Sequence, residues 1–165
     1  MKVDHTRELF WSRALGSYTE QDAVSWALAE IERQPASPNL AALASLDSPY
    51  NHFEVEDLLH SALAELGVKE PDSRQAYNDF LCTTCRAILD GTLTPREGCR
   101  KLARAHGGDI TKHELQPFWL MELGLEDIKI GGKSWHYREL TPSNLDGLVL
   151  RECRALVKDA CPEHE

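Results

Sequence analysis

Apolar residues recur three and four positions apart along most of the chain, a spacing that places them on one face of an α-helix. The pattern is clearest over 52–66, where Val55, Leu59 and Leu63 share a face, and over 142–160, which carries the longest apolar stripe. The remaining segments with this spacing are 6–16, 20–33, 39–46, 72–91, 94–107 and 117–124. The sequence therefore predicts a mainly helical, all-α protein.

Start and stop residues predict a helical hairpin in the middle of the chain. Thr94, Pro95 and Glu97 occupy the N-cap, first and third positions of a predicted helix, a combination that favours helix initiation. Gly91 ends the helix before it, and Gly107 ends the helix itself. Because only three residues separate Gly91 from Pro95, we expect the two helices to form a tight hairpin.

One segment departs from the helical pattern. In DIKIGGKSWHY, Gly131 and Gly132 stand between two pieces rich in residues that favour strands, which predicts a small β-hairpin near 127–138. The 165 residues are enough for one domain with a sizeable core and too few for two comfortable ones. We therefore expect a single-domain bundle of six to eight helices over 1–165, with that hairpin packed on it.

The composition indicates neither membrane insertion nor secretion. No apolar run approaches the roughly 20 residues of a membrane span, and charges occupy the N-terminus where a signal peptide needs an apolar segment. A cytoplasmic protein without a membrane partner is expected. The five cysteines are odd in number and fall mostly on predicted helices, which favours reduced thiols that pack as small apolar residues.

The net charge of −9 comes entirely from residues 20–80, which hold twelve acidic residues against three basic ones. Such a surface repels nucleic acid and attracts basic partners, although a merely solvated surface is the more ordinary explanation. If the charge has a function, carboxylates of this region contact a basic protein. The candidate partner-binding carboxylates are Asp47, Glu54, Glu56, Asp57 and Glu65.

Two aromatic segments are candidate anchors for a partner, since tryptophan is enriched at the energetic centres of interfaces. Trp119 lies in the apolar run 118–121 beside Pro117, and Trp135 and Tyr137 lie on the predicted hairpin. Burial in the core is the more ordinary explanation for Trp119, whereas Trp135 fits either role equally well.

The residues that could carry chemistry form no complete catalytic motif. Cys82 and Cys85 have the CxxC spacing, but they fall in the middle of a predicted helix rather than at its start. With Cys99 and His106 they could supply metal ligands, which gives one alternative, a metal- or thiol-dependent enzyme. Since neither a nucleophile motif nor a phosphate-binding loop is present, we predict no catalytic residue, no metal site and no cofactor.

A second alternative is a DNA-binding regulator. The segment 96–123 is similar to a helix-turn-helix and has five basic residues between Arg96 and Lys112 that could contact phosphates. Pro117 interrupts the would-be recognition helix and the overall acidity opposes DNA, so nucleic acid is a disfavoured partner. The favoured hypothesis is a non-enzymatic protein-interaction module, an acidic inhibitor or immunity-type protein that binds and neutralises a basic partner such as a toxin.

Overall fold

The computed structural model describes residues 4–35 and 37–161, and within them the chain forms eight α-helices and no β-strand. The helices are α1 (His5–Leu15), α2 (Glu20–Ile31), α3 (Pro38–Ala44), α4 (His52–Glu65), α5 (Ser73–Leu89), α6 (Pro95–His106), α7 (Gln116–Gly131) and α8 (Leu145–Ala160). A short 3-10 turn, His113–Leu115, precedes α7. The all-α prediction is confirmed.

Side-chain and glycine caps fix the helix ends close to their predicted positions. Asn51 Oδ1 accepts a hydrogen bond from the Phe53 N–H at 3.1 Å at the start of α4. At the start of α6, Thr94 Oγ1 accepts one from the Glu97 N–H at 3.3 Å. Gly107 ends α6 with a φ of 58°, a left-handed conformation that costs glycine little. The two side chains satisfy backbone donors that the first turn of a helix leaves unpaired.

The chain divides into two compact units, Met1–Tyr77 and Asn78–Glu165. Helix α5 begins in the first unit and ends in the second. Both units contain fully buried apolar side chains. The expectation of one domain over 1–165 stays a prediction.

In the first unit, α3 packs on α2 and α4, and α1 packs on α2. Leu40 and Leu43 of α3 and Leu59 of α4 are fully buried in its core. Full burial of a leucine side chain stabilises a fold by about 1.5–3 kcal/mol. A polar contact also joins α1 to α2, since the indole N–H of Trp26 donates a hydrogen bond to Thr6 Oγ1 at 3.0 Å. The apolar core therefore packs against one side of α4, which we call its inner side.

In the second unit, α6 packs on α7 and α8, and α7 packs on α8. Phe118, Met121 and Val149 are fully buried. Gly98 of α6 lies close to Ile88 of α5, because a Cβ atom on Gly98 would overlap the Ile88 side chain. The small residue thus permits the close helix approach that the predicted hairpin requires.

The predicted β-hairpin near 127–138 is wrong. Helix α7 runs through the first part of this segment, and Gly132 ends it with a φ of 72°. In the loop that follows, the Asp127 carboxylate accepts hydrogen bonds from the backbone N–H groups of Trp135 and His136 at 2.9 and 3.2 Å. Because a side chain satisfies these donors, no strand partner is needed for them.

Candidate functional site

The outward side of α4 carries an exposed aromatic residue among acidic ones. On the inner side Val55, Leu59 and Leu63 are buried, as their spacing predicted. Phe53, by contrast, is 78% exposed. The outward side, which we call the α4 outer face, consists of Phe53, Glu54, Asp57, His60 and Glu65.

Two carboxylates of the α4 outer face are uncompensated. Neither Glu54 nor Asp57 makes a side-chain hydrogen bond or an ion pair within residues 4–35 and 37–161. Asp47, in the loop before α4, is likewise exposed and unpaired among those residues. Glu54 also lies in the first turn of α4, where the helix dipole favours negative charge. Three of the five predicted carboxylates thus face solvent with neither a hydrogen bond nor a counter-charge among the described residues.

Glu65 marks the other end of the α4 outer face. Its carboxylate accepts hydrogen bonds from Asn39, at 2.6 Å from the side-chain Nδ2 and at 3.2 Å from the backbone N–H. These bonds connect the end of α4 to the start of α3. Because an amide donor carries no net charge, Glu65 still adds a negative charge to this exposed surface.

Glu56, the fifth predicted carboxylate, is used inside the first unit. Arg13 of α1 donates two hydrogen bonds to it, from Nη1 at 3.2 Å and from Nη2 at 2.8 Å. The Tyr18 hydroxyl donates a third at 2.7 Å. Arg13 Nε lies 3.0 Å from Glu70, so one guanidinium serves two carboxylates. Glu56 therefore joins α4 to α1 and is not available to a partner.

The electrostatics of this contact follow from its hydrogen bonds. Burial alone would raise the pKa of Glu56, but the hydrogen bonds from Tyr18 and Arg13 lower it below its usual value. For Tyr18, burial and the bond to Glu56 both raise the pKa. The guanidinium of Arg13 also lies over the Tyr18 ring, 4.9 Å from its centroid. The contact is therefore stable in the form with Glu56 ionised and Tyr18 protonated.

Trp135, in the second unit, is the exposed aromatic residue among the predicted anchors. It is 68% exposed, and Lys133 Nζ lies 4.3 Å from the centroid of its ring. Tyr137 is half-buried, and its hydroxyl donates to Glu152 at 3.1 Å and accepts from Arg151 at 2.8 Å. Tyr137 thus belongs to an internal network, and only Trp135 of this pair is free to contact another molecule.

Trp119 is half-buried and packs within the second unit. Its ring stacks on the imidazole of His106 with the centroids 4.8 Å apart. His106 is buried, and burial lowers its pKa. Its Nδ1 accepts a hydrogen bond from the Gly108 N–H at 3.1 Å, so the proton of the neutral ring is on Nε2. This stacking joins α6 to α7, which makes Trp119 part of the packing between them.

The cysteines differ from the expectation that all are reduced. Cys82 and Cys161 form a disulfide with an S–S distance of 2.07 Å, whereas Cys85, Cys99 and Cys153 are buried free thiols. The pairing joins residues 79 positions apart, a proximity that only tertiary structure provides. Burial raises the pKa of Cys99 to about 12, and a hydrogen bond with Cys85 together with burial raises that of Cys153. Since the thiolate is the reactive form, Cys99 and Cys153 are poor nucleophiles.

The residues behind the two alternative functions can also be located in the structure. Among the described residues, no group of three or more His, Cys, Asp or Glu side chains is placed to hold a metal ion.

In the segment resembling a helix-turn-helix, nine residues (107–115) separate α6 from α7, whereas that motif uses a turn of three or four. Arg96, one of its basic residues, lies 3.3 Å from Glu122. Pro117 lies in the first turn of α7, where proline is tolerated, and does not interrupt that helix.

Phe53 is the candidate that sequence reasoning missed. It stands two positions before Val55 and therefore points away from the apolar stripe of α4. An aromatic residue out of register with its own helix is the signal that could have identified it.

No match was found when the chain was compared with protein-family models, with curated proteins and with solved structures. None of the helices described here has both the length and the apolar character needed to cross a bilayer.

Proposed function

We propose that the protein is a non-enzymatic interaction module, an inhibitor of the immunity type, that binds a basic protein partner through the α4 outer face. The observation that carries the proposal is the exposed ring of Phe53 beside the unpaired carboxylates of Glu54 and Asp57. A single exposed apolar residue is ordinary. An aromatic residue framed by charges of one sign matches the anchor and polar rim of protein interfaces. A toxin with a basic surface is the partner class that this charge favours.

Two arginines of the first unit are paired with carboxylates outside the α4 outer face. Arg13 binds Glu56 and Glu70, and Arg33 Nη1 lies 2.9 Å from Glu30. A basic partner would supply the missing counter-charge. Opposite potentials of this kind steer encounters and raise the association rate at low ionic strength.

Packing holds the α4 outer face in place before any partner binds. Leu59 and Leu63 bury the inner side of α4, and the Glu56–Arg13 contact joins the helix to α1. Side chains on a helix fixed in this way lose less conformational freedom on binding than side chains on a mobile loop. The geometry therefore suits a preformed docking surface.

The experiment is capture of partners from an extract of the native cell with tagged protein, followed by affinity measurements on each basic protein retained. Phe53→Ala should weaken binding by about thirtyfold or more, because aromatic anchors typically contribute about 2 kcal/mol or more. Asp57→Asn should lower the association rate at low salt and have a smaller effect at high salt.

Two matched substitutions outside the α4 outer face serve as controls. Glu32→Gln removes an exposed carboxylate, and Ile130→Ala removes an apolar side chain that is 89% exposed. Both should leave the affinity unchanged. The proposal is wrong if no basic protein is retained, or if Phe53→Ala and Asp57→Asn bind the retained protein as tightly as the controls do.

The cytoplasmic location remains part of the proposal and has its own test. Disulfides are rare in a reducing cytoplasm, so a cytoplasmic protein should carry Cys82 and Cys161 as thiols. Alkylation of thiols at the moment of lysis, followed by mass spectrometry, reports their state. A disulfide already present at lysis would contradict the predicted location and would leave the proposed binding surface unaffected.

A further inference from the structure

A groove of about 670 Å³ lies between the C-terminal parts of α5 and α8 in the second unit. Arg86 of α5 and Arg154 and Lys158 of α8 line it. Arg154 and Lys158 are four positions apart and therefore share one side of their helix. Leu89 and Val157 add apolar lining, so the groove combines positive charge with apolar surface. Its volume falls within the range of small-molecule sites, roughly 300–1,000 Å³.

The three cations of this groove are not directly paired with acidic side chains of the described residues. None of Arg86, Arg154 and Lys158 makes a side-chain hydrogen bond or an ion pair in the part of the chain that the structure describes. Arg151 lies about one turn before Arg154 on α8 and is different, because its Nη2 lies 2.7 Å from Glu139. The basic side chains of the groove are therefore available to a ligand.

The charge that remains in the groove indicates the charge of the ligand. Asp159 also lines the groove and offsets one of the three cations. The C-termini of α5 and α8 contribute about half a negative charge each. Roughly one positive charge is left, which one anionic group would neutralise. The apolar lining then favours an anion attached to an apolar body over a bare inorganic ion.

The disulfide connects the two walls of the groove. Cys161 lines the groove and is bonded to Cys82 of α5, with their Cα atoms 5.6 Å apart. In the disulfide-bonded form described here, the end of α8 is thus covalently attached to α5 without any ligand. A site whose walls are already in position binds with a smaller entropic cost than one that must close.

We infer that this groove binds a small organic anion that carries one negatively charged group on an apolar body. The site belongs to the second unit and shares no residue with the α4 outer face. It goes beyond the proposed binding of a basic protein, since its charge is of the opposite sign and its shape suits a small molecule.

Three probes separate the contributions of charge and apolar contact. The first, 1-anilinonaphthalene-8-sulfonate, carries one sulfonate on aromatic rings and becomes fluorescent in apolar surroundings. N-phenyl-1-naphthylamine is its uncharged analogue, and inorganic phosphate is an anion without an apolar body. We expect the sulfonate to bind at one site per chain and the other two probes to bind at least tenfold more weakly. Equal binding of the uncharged analogue, or binding of many sulfonate molecules per chain, would overturn the inference.

Substitutions locate the site on the folded chain. Arg154→Gln and Lys158→Gln should each weaken sulfonate binding about threefold to fivefold, the effect of removing one exposed charge contact. The matched control is Arg138→Gln, which removes an exposed arginine outside the groove and should change nothing. Circular dichroism checks that each variant is folded. Unchanged binding by folded Arg154→Gln and Lys158→Gln variants would place the probe elsewhere and refute the site.

Discussion

The contact between Glu56 and Arg13 allows the stability and binding roles of α4 to be separated by one pair of substitutions. Glu56→Gln keeps the shape of the side chain but removes its charge and one acceptor oxygen. Glu54→Gln makes the same chemical change two positions earlier on the same helix. Because Glu54 has no partner among the described residues, it is a matched control for the contact.

The expected loss of stability follows from the hydrogen bonds that Glu56 accepts. Its carboxylate receives two from Arg13 and one from Tyr18, and the two charged side chains are only 24% and 18% exposed. Hydrogen bonds to charged groups contribute about 1.5–3 kcal/mol when buried. Arg13 keeps its contact with Glu70 at 3.0 Å, which limits the loss. We therefore expect Glu56→Gln to lower the free energy of unfolding by about 1–2 kcal/mol at pH 7.

The pH dependence of this loss tests its electrostatic origin. The pKa of Glu56 is lower in the folded protein than its usual value of 4.5, so ionised Glu56 stabilises the fold above that value. The contribution disappears as the pH falls through the folded-state pKa. The difference in unfolding free energy between wild type and Glu56→Gln should therefore be full at pH 7 and should shrink as the pH is lowered below 4.5.

Urea unfolding followed by tryptophan fluorescence and circular dichroism, at several pH values, measures this difference. Glu54→Gln should unfold like wild type, within about 0.5 kcal/mol, at pH 7. The reasoning is refuted if the two variants have equal stability at pH 7. It is also refuted if the loss caused by Glu56→Gln stays constant down to pH 3.

Two further predictions concern packing and covalent structure in the second unit. Gly98→Ala should lower the free energy of unfolding by about 1–3 kcal/mol, because the new Cβ would overlap the Ile88 side chain. Gly147→Ala, in open space on α8, should instead raise it by about 0.4–1 kcal/mol, and urea unfolding distinguishes the two. Cleavage of Cys82–Cys161 by a reductant should cost about 4.5 kcal/mol, the chain-entropy value for a cross-link over 79 residues, and an unchanged urea midpoint would contradict this.

Local pattern was enough to predict most of the helices. The spacing of Val55, Leu59 and Leu63 identifies the buried side of α4, and Thr94 and Gly107 mark the ends of α6. These signals act within one or two helical turns, so they survive in any tertiary context. The all-α class follows from them without knowledge of how the helices pack.

Features that depend on distant residues could not be predicted in this way. Ile128 and Ile130 favour strand structure locally, yet they belong to α7, which buries Phe118 and Met121 on its inner side. The disulfide partner of Cys82 is 79 positions away, and spacing alone does not indicate it. In both cases the deciding contact lies outside the segment that local pattern can describe.

In the candidate site, too, local pattern identifies some features of single residues and tertiary packing decides the others. From the sequence, Glu54 and Glu56 are equivalent carboxylates at the start of one helix, and both were candidates for binding a partner. Two positions along a helix correspond to about 200°, so the two side chains point in nearly opposite directions. Which of the two carboxylates contacts Arg13 depends on how α1 packs. No local sequence pattern reveals that packing.

As a consequence, the stabilising role and the proposed binding role of α4 belong to side chains on different sides of the helix. Glu56 points toward α1 and stabilises the fold, whereas Phe53 and Asp57 point outward. Asp57 has no partner among the described residues, and the Phe53 ring contacts the imidazole of the adjacent His52, with the ring centroids 5.7 Å apart. Substitutions on the two sides should therefore affect different measurements, stability for Glu56 and affinity for Phe53 and Asp57. If Phe53→Ala lowered the stability of the isolated protein as much as Glu56→Gln does, its ring would have a structural role, and the α4 outer face would lose its aromatic anchor.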